Sequence, residues 1–212
     1  MNVNIIGSGT WGITFANMLI KKKLSVTVLH RNSSTSKKLV NTNFHSYLPD
    51  SLISSKINYT DKFTDLDLKD ITVLAIPINS IYGFISRYDL SRTKLLLLSK
   101  GIEGNNKMLI SEMLISEFCY NINNIAILSG PNHAEEVIKD NPTASIVAST
   151  NKSFRKLLQS KVSSSSFRIY TSDDIIGVQI GGAIKNVIAI ASGMCEGLGL
   201  GDNAQATLVT RG

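Results

Sequence analysis

Short apolar runs alternate with amphipathic stretches along most of the chain. Runs rich in β-branched residues predict strands at residues 3–6, 25–29, 71–76, 94–98, 125–128, 145–148 and 167–170. Apolar positions at Phe15, Met18 and Leu19 have helical spacing and predict a helix over residues 14–22. Residues 107–118 and 152–161 predict two more helices. Residues 32–70 are rich in Ser, Asn and Lys and predict loops with one short helix.

This alternation favours an α/β fold with a mainly parallel, doubly wound sheet, whose ligands bind beyond the carboxyl ends of the strands. The pattern changes near residue 173. Asp173 and Asp174 suit a helix N-terminus, and from Ile175 onward only helical patterns follow. We therefore expect one domain over residues 1–172 and the start of an all-helical second domain over residues 173–212.

Composition narrows the classes of partner. The 212 residues are 43% hydrophobic and 18% charged, with a formal net charge of +6 at pH 7, which suits anionic partners. There is no nucleic-acid-binding motif, and the two cysteines match no zinc spacing. We find no signal-like N-terminus and no apolar run of the roughly 20 residues that cross a bilayer. We expect a cytoplasmic protein that binds neither nucleic acid, membrane nor metal.

The first predicted strand runs directly into a glycine motif, Gly7-Ser8-Gly9-Thr10-Trp11-Gly12. A G-x-G-x-x-G that follows a strand and opens a helix is typical of a Rossmann-type dinucleotide-binding domain. Gly7 permits the tight turn, Gly9 lets the backbone approach the pyrophosphate, and Gly12 allows close packing of helix on strand. The alternative is a glycine-rich turn that binds nothing.

The end of the second strand bears on the choice of cofactor. An enzyme that prefers NAD usually places an acidic residue there, whereas this chain has His30 and Arg31. Arg31 can pair with the 2′-phosphate of NADP, or it can be a solvated residue at the strand end. We favour NADP without excluding NAD.

Two lysines stand in apolar settings. Lys100 follows a buried strand, where its ammonium can meet a phosphate or a substrate oxygen, unless it only extends to solvent at the sheet edge. Lys185 lies in the nearly apolar segment 181–193, which predicts a buried helix. A buried ammonium has a lowered pKa and suits acid–base chemistry, whereas a structural lysine would pair with a carboxylate. The turn after another buried strand offers Gly130 and Asn132 to a substrate.

Several further motifs occur along the chain. In chain order, the full set is the glycine motif at 7–12, residues 43–49 with Tyr47-Leu48-Pro49, Ser99-Lys100-Gly101-Ile102-Glu103, residues 129–137, Pro142-Thr143-Ala144, residues 181–193, and residues 197–203 through Thr210-Arg211-Gly212. Together these motifs resemble the bacterial NAD(P)-dependent glycerol-3-phosphate dehydrogenases.

The resemblance implies reversible reduction of dihydroxyacetone phosphate to sn-glycerol 3-phosphate, for phospholipid synthesis. It implies that Lys185 exchanges the proton with the substrate oxygen and that Lys100 contacts substrate and cofactor. Gly130 and Asn132 would bind substrate, although many relatives have Ser or Thr in place of Asn132. The residues that would line the cofactor site are Thr10, Trp11, Arg31 and Ala134. A homodimer is what the family suggests.

Members of this family continue for roughly another hundred residues, a segment the size of a small domain. That segment carries an Asp and a Ser-Arg-Asn cluster that complete the substrate site. The resemblance thus predicts a truncated chain, in which cofactor binding survives and catalysis is weak or lost. Two other functions stay open: a 6-phosphogluconate-like dehydrogenase acting on a hydroxy acid, and a non-catalytic NAD(P)-binding module.

Overall fold

The computed structural model of the chain describes residues 1–31, 34–104 and 107–211. Gly212, the last residue of the resemblance, lies outside them. The strands are β1 (Asn2–Ile6), β2 (Ser25–Leu29), β3 (Asn58–Thr60), β4 (Ile71–Leu74), β5 (Lys94–Leu97), β6 (Ile125–Ser129), β7 (Thr143–Ala148) and β8 (Phe167–Ser172). The helices are α1 (Thr10–Lys21), α2 (Ser34–Thr42), α3 (Ile78–Arg87), α4 (Ile110–Phe118), α5 (Ala134–Val137), α6 (Lys152–Val162), α7 (Ile175–Gly197) and α8 (Asp202–Arg211).

All eight strands form one sheet in the order β3-β2-β1-β4-β5-β6-β7-β8. The pairs from β3 to β6 are parallel, and the strand order reverses between β1 and β4. Helices cover both faces: α1 packs on one through Ile13 and Phe15, and α3 and α4 pack on the other through Ile81 and Met113. The predicted fold class, a Rossmann-type doubly wound sheet followed by a helical segment, is confirmed. The reversal leaves a crevice at the carboxyl ends of the central strands.

Two features of the sheet and one helix were not predicted. β3 has only three residues, which include Asn58 and Thr60, so it produces no apolar run. The helix α3 starts directly after Pro77, and the sequence analysis placed no helix there. β7 runs antiparallel to β6 because the connection between them contains only the single turn of α5, too little to build a packed crossover helix.

The expectation that residues 181–193 form a buried helix is wrong. The segment is helical within α7, but the buried residues of α7 are Ile175, Gln179 and Gly182. Its apolar side chains Ile180, Ile184, Val187 and Ile190 are exposed. A helix that is apolar on all sides needs partners on all sides. Among the described residues, α7 packs mainly on β6, β7 and α8.

The expectation of no membrane-length apolar segment also needs correction. Within the part of the chain that the structure describes, α7 is long and apolar enough to cross a membrane, judged by length and composition alone. The same helix contacts the α/β domain, because Gln179 donates a hydrogen bond to Ser111 on α4 and Lys185 donates one to the carbonyl of Gly130. Such contacts are typical of a helix packed on a globular domain.

Candidate functional site

The glycine turn lies at the carboxyl end of β1 and leads into α1. Gly7 has φ +115°, and a Cβ there would lie 2.5 Å from the carbonyl oxygen of Ala75. A Cβ on Gly12 would overlap the carbonyl of Gly7, so α1 can approach the turn only because Gly12 has no side chain. Gly9 is different, since a Cβ there would meet nothing within 4 Å. Gly7 and Gly12 are therefore required for close packing within the turn, whereas Gly9 leaves open space above it.

This geometry fits a dinucleotide. Gly9 is the N-cap of α1 and offers no side chain to the first N–H groups of the helix, which therefore remain available to an anion. Thr10 is the first residue of α1, directly after Gly9. The open space at Gly9 is where the backbone of such a turn approaches a pyrophosphate.

The remaining residues proposed to line the cofactor site occupy different environments. Arg31 is exposed two residues after the end of β2, the strand that pairs with β1. Ala134 is buried at the start of α5, and its carbonyl accepts a hydrogen bond from Thr14 on α1 at 3.5 Å. The Trp11 ring packs against Phe15 and Phe167, with ring centroids 6.1 and 6.4 Å apart.

The structure joins Lys100 and Asn132 at the ends of β5 and β6. The Nζ of Lys100 donates to Oδ1 of Asn132 at 2.6 Å, and Nδ2 of Asn132 donates to the hydroxyl of Ser145 on β7 at 3.2 Å. Asn132 is 4% exposed and Ser145 is also 4% exposed. A chain of hydrogen bonds thus fixes a buried amide beneath the Lys100 ammonium.

Lys185 reaches the same place from α7. Its Nζ donates to the carbonyl oxygen of Gly130 at 3.3 Å. Lys185 is half-buried and not fully buried as expected, because most of α7 is not covered by other elements. One turn earlier, Gly182 lets α7 approach, because a Cβ there would lie 2.6 Å from the hydroxyl of Ser129 and 3.6 Å from Cγ of Lys100.

The two ammonium groups influence each other. Burial lowers the pKa of Lys100 from 10.5 to about 8, and the nearby positive charge of Lys185 lowers it further in the same direction. Two lysines held side by side repel each other, and an anion placed between them would relieve that repulsion. The arrangement therefore favours a negatively charged group, or an oxygen that develops negative charge.

Two serines support this site, and the sequence analysis gave a role to neither, although Ser99 is part of the motif at residues 99–103. Ser145 has no motif of its own, although Pro142-Thr143-Ala144 just before it was noted. Ser99 donates to the carbonyl of Ile76 at 2.5 Å and so ties the end of β5 to the end of β4. Both serines form hydrogen bonds that reach a neighbouring strand or turn. The role of Ser145 follows only from the strand order, whereas Ser99 stands directly after a predicted strand, a position at which the sequence alone can suggest a role.

A cavity of about 540 Å³ lies beside the carboxyl end of α1, between Lys22, Asn141 and Ser165, and includes no residue of the glycine turn. Among residues 1–31, 34–104 and 107–211, no group of three His, Cys, Asp or Glu side chains could hold a metal ion.

Comparison with known proteins identifies the family. Residues 2–155 match the model of the NAD-dependent glycerol-3-phosphate dehydrogenase N-terminus. The chain belongs to this family. Residues 174–212 match the model of the C-terminus of the same dehydrogenases. The boundary at residues 172 and 173 remains a prediction.

Individual members of the glycerol-3-phosphate dehydrogenase family resemble the whole chain. It is 38% identical to the glycerol-3-phosphate dehydrogenase [NAD(P)+] of Fusobacterium nucleatum, over 100% of this chain and 65% of that protein. It is 40% identical to that of Halothermothrix orenii, over 99% of this chain and 62% of that protein. The crystal structure of the Coxiella burnetii glycerol-3-phosphate dehydrogenase superposes with a TM-score of 0.85 at 29% identity, covering 99% of this chain and 65% of that one. The chain thus spans less than two thirds of the length of these relatives.

Proposed function

We propose that this chain takes part in the interconversion of dihydroxyacetone phosphate and sn-glycerol 3-phosphate by hydride transfer with NAD(P)H. The observation that carries the proposal is the pair of lysines, Lys100 and Lys185, at the strand ends beside the glycine turn. Family membership supports it, since relatives that match the whole chain bear the name glycerol-3-phosphate dehydrogenase [NAD(P)+].

We propose the following division of roles. Lys185 donates a proton from its ammonium to the carbonyl oxygen of the substrate, and in the reverse direction it accepts that proton from the alcohol. The carbonyl of Gly130 orients the Lys185 ammonium. Lys100 and Asn132 bind the substrate, with Lys100 supplying positive charge near the developing oxyanion.

The cofactor would lie over the glycine turn. Bound NAD(P)H would supply the hydride that the carbonyl carbon accepts. The residues proposed to bind it are Gly7, Gly9, Thr10, Trp11, Gly12, Arg31, Lys100 and Ala134. The open space at Gly9 and the absence of a side-chain cap on α1 support a pyrophosphate at the turn. The exposed Arg31 supports use of NADP as well as NAD.

The setting of the reaction follows from the same proposal. We propose a cytoplasmic role in glycerophospholipid synthesis. We also propose that two copies associate through the exposed apolar side chains of α7, because contiguous apolar surface of this kind favours association. Absence of binding to nucleic acid or membrane stays a prediction.

Trp11 makes the proposal directly testable. It is the single tryptophan of the chain and lies in the first turn of α1, so its fluorescence reports on the surroundings of this end of the helix. We expect NADPH and NADH to quench this fluorescence in a saturable manner. Oxidation of the reduced cofactor would then be followed with dihydroxyacetone phosphate, using this chain and a fusion to the part of the Fusobacterium nucleatum protein that the match does not cover.

The outcomes separate the three functions. Turnover of dihydroxyacetone phosphate by either protein supports the proposal. Turnover of a 2-hydroxy acid, without turnover of the triose phosphate, would replace it with the hydroxy-acid dehydrogenase. Saturable quenching without turnover by either protein would leave a nucleotide-binding module.

A further inference from the structure

A buried histidine contacts the glycine turn from outside the proposed site. His45 is 2% exposed and lies in the segment that follows α2. Its Nε2 is 3.1 Å from the carbonyl oxygen of Ser8, the residue between the first two glycines of the motif. Its Nδ1 accepts a hydrogen bond from the backbone N–H of Tyr47 at 3.2 Å. Both ring nitrogens therefore have a backbone partner.

These contacts determine which nitrogen carries the proton. Nδ1 accepts an N–H, so it has no hydrogen of its own in this arrangement, and the neutral ring carries its hydrogen on Nε2. The Nε2–H then donates to the Ser8 carbonyl. A single tautomer satisfies both contacts.

The Ser8 carbonyl controls the amide that faces the proposed phosphate. It belongs to the same peptide group as the N–H of Gly9, and this peptide is trans. The C=O and N–H of a trans peptide point in opposite directions. When His45 binds the Ser8 carbonyl, it fixes the Gly9 N–H on the opposite side of the turn. The strength of an anion site made of backbone N–H groups depends on this orientation.

We infer that His45 is a positioning residue for dinucleotide binding, which orients the Ser8–Gly9 peptide toward the pyrophosphate without touching the cofactor. The inference rests on the proposed function, since it concerns the same turn. It makes His45 a determinant of cofactor affinity.

The segment that carries His45 has a second attachment, which offers a matched control. Oδ1 of Asn17, on α1, accepts a hydrogen bond from the backbone N–H of Ser54 at 3.0 Å. Asn17 is also buried, at 7% exposure. Asn17→Ala therefore removes one hydrogen bond that holds this segment on α1. It keeps the hydrogen bond between His45 and the Ser8 carbonyl. A purely structural role of His45 predicts that both losses act alike.

The test measures the Kd for NADPH from Trp11 quenching, together with the thermal unfolding temperature, in the 212-residue chain. We expect His45→Ala and His45→Asn to weaken NADPH binding by roughly tenfold, the size of effect that follows loss of one buried hydrogen bond. His45→Gln can place an amide N–H near the position of Nε2, and we expect it to restore most of the affinity. Asn17→Ala is expected to lower the unfolding temperature and to leave the Kd within about twofold of the wild type.

Each result decides a different question. If the wild-type chain shows no saturable quenching, the proposed function fails before His45 is tested. If the wild type binds NADPH and His45→Asn binds it equally well, the inference is overturned. The inference is also overturned if His45→Gln is as weak as His45→Asn, or if Asn17→Ala weakens binding as much as either.

Discussion

The Nζ atom of Lys100 lies 2.6 Å from Oδ1 of Asn132, which joins the residue that follows β5 to the turn that follows β6. The contact uses the amide oxygen of Asn132 and leaves its Nδ2 to donate to Ser145. The Lys100 ammonium is therefore oriented by a neutral amide, which does not neutralise its positive charge. That charge can still attract an anionic ligand. The hydrogen bonds described for Lys100, Asn132 and Ser145 involve no carboxylate, so these three residues together carry the positive charge of the lysine.

The lowered pKa of Lys100 predicts that substrate affinity falls with rising pH. Its pKa is about 8, so the ammonium loses its proton as the pH rises through that value. A phosphate monoester has its second pKa near about 6 and stays fully charged over this range. We expect the Kd for sn-glycerol 3-phosphate, measured by calorimetry, to increase as the pH rises through about 8. Lys100→Arg should flatten the profile because arginine stays protonated. An unchanged profile in Lys100→Arg would show that another group titrates.

The same pKa predicts a pH dependence of folding. The folded pKa of Lys100 lies below its ordinary value of 10.5, so between about 8 and 10.5 the unfolded chain binds more protons than the folded chain. The contribution of Lys100 to the free energy of unfolding therefore rises with pH in this window. Denaturant titrations of the wild type and Lys100→Met should diverge there. Parallel curves would contradict the shift.

Ser145 is expected to set substrate affinity through Asn132. Ser145→Ala removes the acceptor for Nδ2 of Asn132 and should weaken binding of sn-glycerol 3-phosphate by roughly fivefold. Ser149→Ala is the matched control, because Ser149 is also buried and donates to the Ile125 carbonyl at 2.8 Å, at the end of β6 opposite to the Asn132 turn. Calorimetry on both variants decides the matter. Equal losses would mean that the effect is general destabilisation.

The glycine turn predicts opposite behaviour for two substitutions. Gly9 has φ −70°, and an added Cβ would contact no other atom within 4 Å, so Gly9→Ala should fold with only a small loss of stability. Its methyl group would occupy the space proposed for the pyrophosphate and should weaken cofactor binding. Gly12→Ala overlaps the Gly7 carbonyl and should lower the unfolding temperature markedly. Thermal unfolding and Trp11 quenching separate the two. Normal NADPH affinity in Gly9→Ala would place the cofactor elsewhere.

Arg31 is expected to control the preference between cofactors. Arg31→Asp removes a cation that can bind the 2′-phosphate of NADP. It introduces a carboxylate that can accept hydrogen bonds from the ribose hydroxyls of NAD. We expect the ratio of Kd for NADPH to Kd for NADH to rise by roughly tenfold, the effect of about one charge-assisted hydrogen bond. Titration of each cofactor into the two proteins measures the ratio. An equal change for both would assign Arg31 a role outside cofactor choice.

The sequence predicted the central sheet well because its strands are buried on both faces and therefore continuously apolar. The run at residues 95–98 shows this clearly, since all four leucines are buried. The glycine motif was equally informative, because Gly7 and Gly12 are required by contacts within the turn itself. Elements whose identity depends on local sequence were thus predictable.

Features that depend on distant contacts were not. The exposure of α7 depends on which elements cover it, and the pattern of Val187 and Ile190 shows only that they could be covered. The direction of β7 depends on the length of α5. The contacts from His45 to Ser8 and from Asn132 to Ser145 join residues 37 and 13 positions apart, with no motif linking the partners. The roles proposed for the site residues remain predictions.

The proposed transfer of a proton by Lys185 can be tested by comparing two proteins that differ only at this residue. Oxidation of NADPH by dihydroxyacetone phosphate would be measured with the fusion protein carrying Lys185 or Lys185→Ala, beside the Kd for NADPH of each. We expect turnover to fall by about a hundredfold or more while the Kd stays within about twofold, because Lys185 contacts Gly130 and not the glycine turn. Full turnover in Lys185→Ala would show that another group transfers the proton.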